Sequence, residues 1–135
     1  MNKYKILKHP SDLKLKVFGK TKEELLLNAL EGMFLSMKPK IKKSQRTIKR
    51  EFQIKSVDFP SLLIDFLSEA LYLSDLYNEV YLQAEIKHLG DKRIEGKFLG
   101  KKIESIDLEI KAVTYHNLKI RKTNQHWEAV ILFDI

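Results

Sequence analysis

The spacing of apolar and polar positions changes period along the chain. Leu13, Leu15 and Val17 alternate with Lys14, Lys16 and Phe18, which predicts a strand with one buried face, closed by Gly19. At Thr21 the period becomes helical. Leu26, Leu30, Phe34 and Met37 recur on one side, with Leu25, Ala29 and Met33 widening the stripe. Thr21 and Glu24 have the spacing of a capping box, in which each side chain satisfies an open N–H of the first turn, and Pro39 stops the helix. A second helix opens at Pro60, a favoured first-turn position, and fades near Asn78. Its buried stripe is Leu63, Phe66, Leu67, Ala70 and Leu71, and Asp65, Glu69 and Tyr72 share another face.

Between the helices lies a basic stretch of Lys40, Lys42, Lys43, Arg46, Lys49 and Arg50, read as a solvated edge that discourages aggregation. A strand over 47–55 occupies its second half, with Ile48, Phe52 and Ile54 apolar. Beyond the second helix the pattern is β. Val80, Leu82, Ala84 and Ile86 alternate with polar residues up to a turn at Gly90-Asp91. A short strand over 94–98, a turn at Gly100, a longer strand over 103–116 and a turn at Asn117 follow. Strands over 118–122 and from Trp127 to the end complete the series. Two helices and about seven strands joined by short turns predict an α+β fold: a mainly antiparallel sheet with both helices on one face, in a single domain over 1–135.

Composition narrows the function classes. The absence of cysteine excludes disulfides, thiolate metal sites and cysteine nucleophiles, and fits a reducing compartment. The N-terminal residues show neither a signal peptide's apolar run nor its cleavage site, and no stretch reaches the length of a membrane helix. The expected location is the cytoplasm. The formal net charge is +7, but only Arg46, Arg50, Arg93 and Arg121 among the 25 basic residues are arginine. Lysine is a point charge without the planar fork that reads bases, so the charge speaks first to solubility.

No G-x-S-x-G elbow, phosphate-binding P-loop or H-E-x-x-H motif is present, and the four histidines are scattered. Three segments stand out. His9-Pro10-Ser11-Asp12 is a turn-forming element between two strand-like runs. Lys111 to His116 reads Lys-Ala-Val-Thr-Tyr-His, with Lys111 on the polar side of its strand. The final Ile131-Leu132-Phe133-Asp134-Ile135 is an apolar strand reaching the last residue, where a frayed polar end is usual. Asp134 then neighbours the α-carboxylate of Ile135, and such oxygen ligands suit a hard cation such as Ca²⁺, Mg²⁺ or Mn²⁺.

In order and spacing these segments resemble the archease family, which opens with a His-Thr-Ala-Asp-like element, carries a Lys-Ala-Val-Thr-Tyr-His-like strand and ends on Phe-Asp-Ile or Phe-Asp-Val. The helix segment at 62–73, Leu-Leu-Ile-Asp-Phe-Leu-Ser-Glu-Ala-Leu-Tyr-Leu, matches as well, so the likeness covers essentially the whole chain. Pro10 and Ser11 depart from the usual Thr-Ala, and Lys14 stands where many members have glycine. The resemblance implies a protein cofactor, not an enzyme, that activates an RtcB-type RNA ligase in tRNA splicing and RNA repair. It would promote ligase guanylylation and multiple turnover and broaden its nucleotide use. Carried over, the metal ligands fall on Asp12, Asp134 and the terminal carboxylate of Ile135. Lys111, His116 and His9 become the residues facing partner or phosphate. RNA is expected to meet the chain only through the ligase, and a homo-oligomer is left open. The alternatives are a basic RNA-binding module, which would bind RNA tightly without any ligase, and a small chaperone-like protein. A metal-dependent enzyme acting alone ranks last, for want of a nucleophile or base constellation.

Overall fold

The computed structural model describes residues 2–8, 11–43 and 46–135. In chain order the elements are β1 (Tyr4–Lys8), β2 (Asp12–Gly19), α1 (Lys22–Ser36), β3 (Lys40–Ile41), β4 (Ile48–Lys55), α2 (Phe59–Tyr77), β5 (Glu79–Leu89), β6 (Arg93–Ser105), β7 (Ala112–Lys122) and β8 (Trp127–Asp134). Every strand pair among them is antiparallel. The α+β class follows, with two helices and eight strands. The strands form two four-stranded sheets, one in the order β1-β2-β8-β7 and one in which β6 pairs with β3, β4 and β5. Among the described residues no helix is long and apolar enough to cross a membrane.

Local signals explain the helices. Thr21 caps α1 in extended backbone, its hydroxyl accepting from the Glu24 N–H at 3.1 Å. The return arm of the capping box falls one residue early, since the Glu24 carboxylate meets the Lys20 N–H at 3.4 Å. Asp58 caps α2 by accepting from the Ser61 N–H at 2.8 Å, with Pro60 in the first turn. Asn78 ends α2 in the left-handed region, φ 58°, a conformation asparagine tolerates better than most residues.

Both helices pack on the inner faces of the sheets, α1 against β2 and β5, and α2 against β7, β5, β4 and β6. The predicted stripes join one core. Leu13, Leu15 and Val17 of β2 meet Leu26, Leu30 and Phe34 of α1, Phe66 and Leu67 of α2, and Ile131 and Phe133 of β8. Along β2 and β4 the alternate residues are open to water, whereas β5 begins with three buried residues, Glu79, Val80 and Tyr81, and β8 ends with Ile131, Leu132 and Phe133 all buried.

The single expected sheet is therefore two, and the late strands differ from expectation in extent. The predicted turn at Gly100 is absent, because β6 runs unbroken through Gly96 and Gly100. These glycines answer to close approach instead. A Cβ on Gly96 would collide with the Glu85 carbonyl oxygen, and one on Gly100 with Tyr81 and the Val80 carbonyl. Both contacts arise near the register shifts where β5 bulges over β6. The strand expected over 103–116 divides as well: β6 keeps 103–105, and 106–111 is a loop before β7. Its alternating apolar residues line the core edge, with Ile110 buried. The Asp107 and Leu108 N–H groups donate to the Met37 carbonyl, tying the loop to the end of α1. Asn117, φ 57°, lies within β7 at a bulge rather than between two strands.

The basic stretch is solvated over Lys40, Lys42, Lys43 and Lys49, but Arg50 departs from that reading. Its guanidinium binds the fully buried Glu79 carboxylate at 3.0 and 2.8 Å and stacks on Tyr77. Tyr81 donates to Glu79 at 2.7 Å, and the Lys102 ammonium lies at 3.5 Å.

Candidate metal and phosphate site

The β2–β8 ladder places Asp12 directly opposite Asp134, and the β7–β8 ladder places Ala112 opposite Asp134 from the other side. Directly opposed residues in an antiparallel pair share a face, with Cα atoms about 4.5–5.5 Å apart. The start of β2, the end of β8 and the start of β7 thus meet at one corner of the sheet. The Lys111 N–H donates to the Asp134 main-chain carbonyl at 2.7 Å, which fixes the loop before β7 against that corner.

Each residue has a structural reason to be there. Leu13 and Phe133 are buried neighbours of the two aspartates and set the register; sliding either strand by one residue would turn its apolar set toward water. Asp12 is half-buried, and its Oδ1 is enclosed with no hydrogen-bond partner. Asp134 is exposed. An enclosed, unsatisfied carboxylate oxygen is costly, and two carboxylates set opposite each other repel. Both costs fall if a cation sits between them. Among the described residues no three His, Cys, Asp or Glu side chains gather to hold a metal. Ile135, half-buried against the core, directly follows Asp134.

Lys111 is exposed and lines a groove of about 470 Å³ between α2 and the 106–113 segment, with Ser68, Tyr72, Asp75 and Glu109 among its walls. This groove had no sequence signal, since its walls come from remote segments. His116 is exposed and stands apart from the corner. Residues 115–118 are looped out of the β7–β8 ladder between the pairs Thr114–Leu132 and Lys119–Val130. Its N–H donates to Thr114 Oγ1 at 2.8 Å. Tyr115, on the same bulge, reaches Asp65 of α2 at 3.2 Å, and Asp65 also accepts from Ser56 at 2.6 Å. His9 lies outside the described residues.

Residues 4–135 match the model of the archease protein family. The chain belongs to the archease family. A protein archease from Methanosarcina barkeri is 37% identical over 140 residues, covering 98% of this chain and 95% of that protein. The protein archease of Pyrococcus furiosus is 29% identical with both chains fully covered. Two solved structures share the archease fold of this chain at 22% identity. A solution structure of Methanobacterium thermoautotrophicum protein 1598 superposes with a TM-score of 0.71 over all of both chains. A Thermotoga maritima crystal structure, described as an archease and possible chaperone, gives 0.69 over 97% of this chain and 96% of the other. None of these names is that of an enzyme.

Proposed function

We propose that this archease is a non-catalytic protein cofactor of an RtcB-type RNA ligase, acting in the cytoplasm in tRNA splicing and RNA repair. In this reading it promotes ligase guanylylation and multiple turnover and broadens the ligase's nucleotide use. The supporting observation is the facing pair Asp12–Asp134, with an enclosed, unpartnered Asp12 oxygen beside the pinned Lys111 main chain. The fit to a hard divalent cation is chemical: Asp12 and Asp134 supply carboxylate oxygens and Ile135 a main-chain oxygen, a donor set that suits Ca²⁺, Mg²⁺ or Mn²⁺. When bound, the cation supplies positive charge for phosphate groups at the ligase's reacting centre. Lys111 adds a second cation near the same phosphates. His116, out on its bulge, belongs to the surface that meets the partner rather than to the cation, and the same partner-facing role is assigned to His9.

The test mixes the protein with a purified RtcB-type ligase, Mn²⁺ and GTP and follows formation of the guanylylated ligase. Faster guanylylation and more turnovers per ligase are expected. Guanylylation at the rate of ligase alone, under conditions limiting for the ligase, would overturn the reading. The description of the Thermotoga relative as a possible chaperone favours one second reading: suppression of aggregation of unrelated clients, read by light scattering.

A further inference from the structure

The open face of the β1-β2-β8-β7 sheet has a distinctive charge distribution. Alternation and register assign its outward residues. Lys5 lies opposite Lys16, Lys16 opposite Val130 and Val130 opposite Lys119, giving one row across all four strands. The next row toward the aspartate corner is Leu7, Lys14, Leu132 and Thr114. On the other side, Phe18 pairs with Glu128 and Glu128 with Arg121. Lys5, Lys14, Lys16 and Lys119 have no carboxylate within salt-bridging distance among the described residues. Glu128 is already held by His126 and Arg121. Two like charges directly opposed, as in Lys5–Lys16, destabilise a ladder unless an anion joins them.

We propose that this open face docks the phosphate backbone of single-stranded RNA. Neighbouring strands lie about 4.8 Å apart and alternate residues along a strand about 6.7 Å. The unpaired lysines therefore form a shallow lattice of positive charge across the sheet. A polyanion with a charge at every repeat can meet several of them at once. Lysine point charges suit phosphates and read no sequence. The exposed Leu7, the half-buried Val130 and Phe18, over which the Lys16 ammonium sits at 5.5 Å, offer apolar surface for unstacked bases. Single strands are therefore favoured over duplexes, whose bases are stacked away. Toward the Asp12–Asp134 corner the face narrows, because Leu132 in the intervening row is buried and Lys14 and Thr114 are half-buried. This docking goes beyond the cofactor reading, in which RNA arrives only on the ligase, and adds a weak, sequence-independent contact of the chain's own.

The test measures binding of a fluorescent oligouridylate by anisotropy across a salt series, without ligase or divalent metal. Two triple variants remove equal charge: K5Q/K16Q/K119Q from this face, and K49Q/K55Q/K87Q from β4 and β5 of the other sheet. The first should lose at least roughly tenfold in affinity at low salt, with its salt slope shallower by about 2, from about 0.7 per lost phosphate contact on single strands. The second should stay within about twofold of the parent. Equal losses in both, no binding by the parent, or tighter binding of duplex or of matched-charge polyglutamate would each overturn the proposal. The ligase is absent, so failure here leaves the cofactor reading standing, and failure of guanylylation leaves this binding intact.

Discussion

Asp12 and Asp134, near opposite ends of the chain, face each other across the β2–β8 ladder, and the enclosed Oδ1 of Asp12 has no hydrogen-bond partner. Two carboxylates in that relationship work against the fold unless something positive joins them. Asp134→Asn should therefore raise stability in chelator by about 0.2–1 kcal/mol, the range of cross-strand pairs. Ca²⁺ or Mn²⁺ is expected to raise the Tm of the parent protein, and Asp134→Asn should abolish that shift. Thermal unfolding with and without each cation checks both; an equal cation-induced shift in the variant would remove the shared-ion account of this corner.

Arg50 and Glu79 make the main buried ion pair of the described residues, fully enclosed on the glutamate side. Arg50→Ala leaves a buried carboxylate with only Lys102 at 3.5 Å and the Tyr81 hydroxyl. A loss of about 3 kcal/mol is expected, the low end for broken buried pairs because the Arg50 side chain is itself 29% exposed. Urea denaturation measures it. A change below about 1 kcal/mol would mean that Lys102 and Tyr81 suffice.

The same carboxylate sets a pH dependence. Burial pushes Glu79 up, but hydrogen bonds from Arg50 and Tyr81 and the charges of Arg50 and Lys102 hold it below the ordinary carboxylate range. His126 first, then Arg121, pull Glu128 down to about 2. Both groups are more acidic folded than unfolded, so their stabilisation is fully present above the unfolded value of 4.5 and is lost as pH falls through each folded value, about 2 for Glu128. Unfolding free energy should decline across that acid window, and Glu79→Gln should flatten the decline.

Gly96 and Gly100 should tolerate no side chain. Alanine at either forces β5 and β6 apart, at about 1–3 kcal/mol as overpacking. Equilibrium unfolding of Gly96→Ala decides the matter: parental stability would show that β5 yields to a side chain there without cost.

The two helices were legible because their signals are local: a capping threonine or a first-turn proline, a 3.6-residue apolar stripe, and Pro39 or Asn78 at the end, although the Asp58 cap of α2 went unread. Strand β2 was legible from its two-residue period. The late β region misled because alternation alone does not reveal whether a residue sits on a strand or on a loop pinned along the core. Ile106, Leu108 and Ile110 alternate like a strand yet follow the end of β6. Gly100 resembles a turn residue, yet both it and Gly96 are demanded by a neighbouring strand that no local pattern announces. Pairing is the least local property of all. Nothing around Arg50 points to Glu79, and nothing around Asp12 points to Asp134. The second pair was expected only because the chain resembles a family whose segments recur in that order, whereas the first was missed.

The central claim is that the Asp12–Asp134 corner is what a ligase uses. The most direct measurement is the guanylylation rate of an RtcB-type ligase in Mn²⁺ and GTP, with parent protein, Asp12→Asn or Asp134→Asn, each variant first shown to be folded by its Tm. The account predicts stimulation by the parent and a rate indistinguishable from ligase alone with either variant. Full stimulation by a folded Asp12→Asn or Asp134→Asn protein would contradict it.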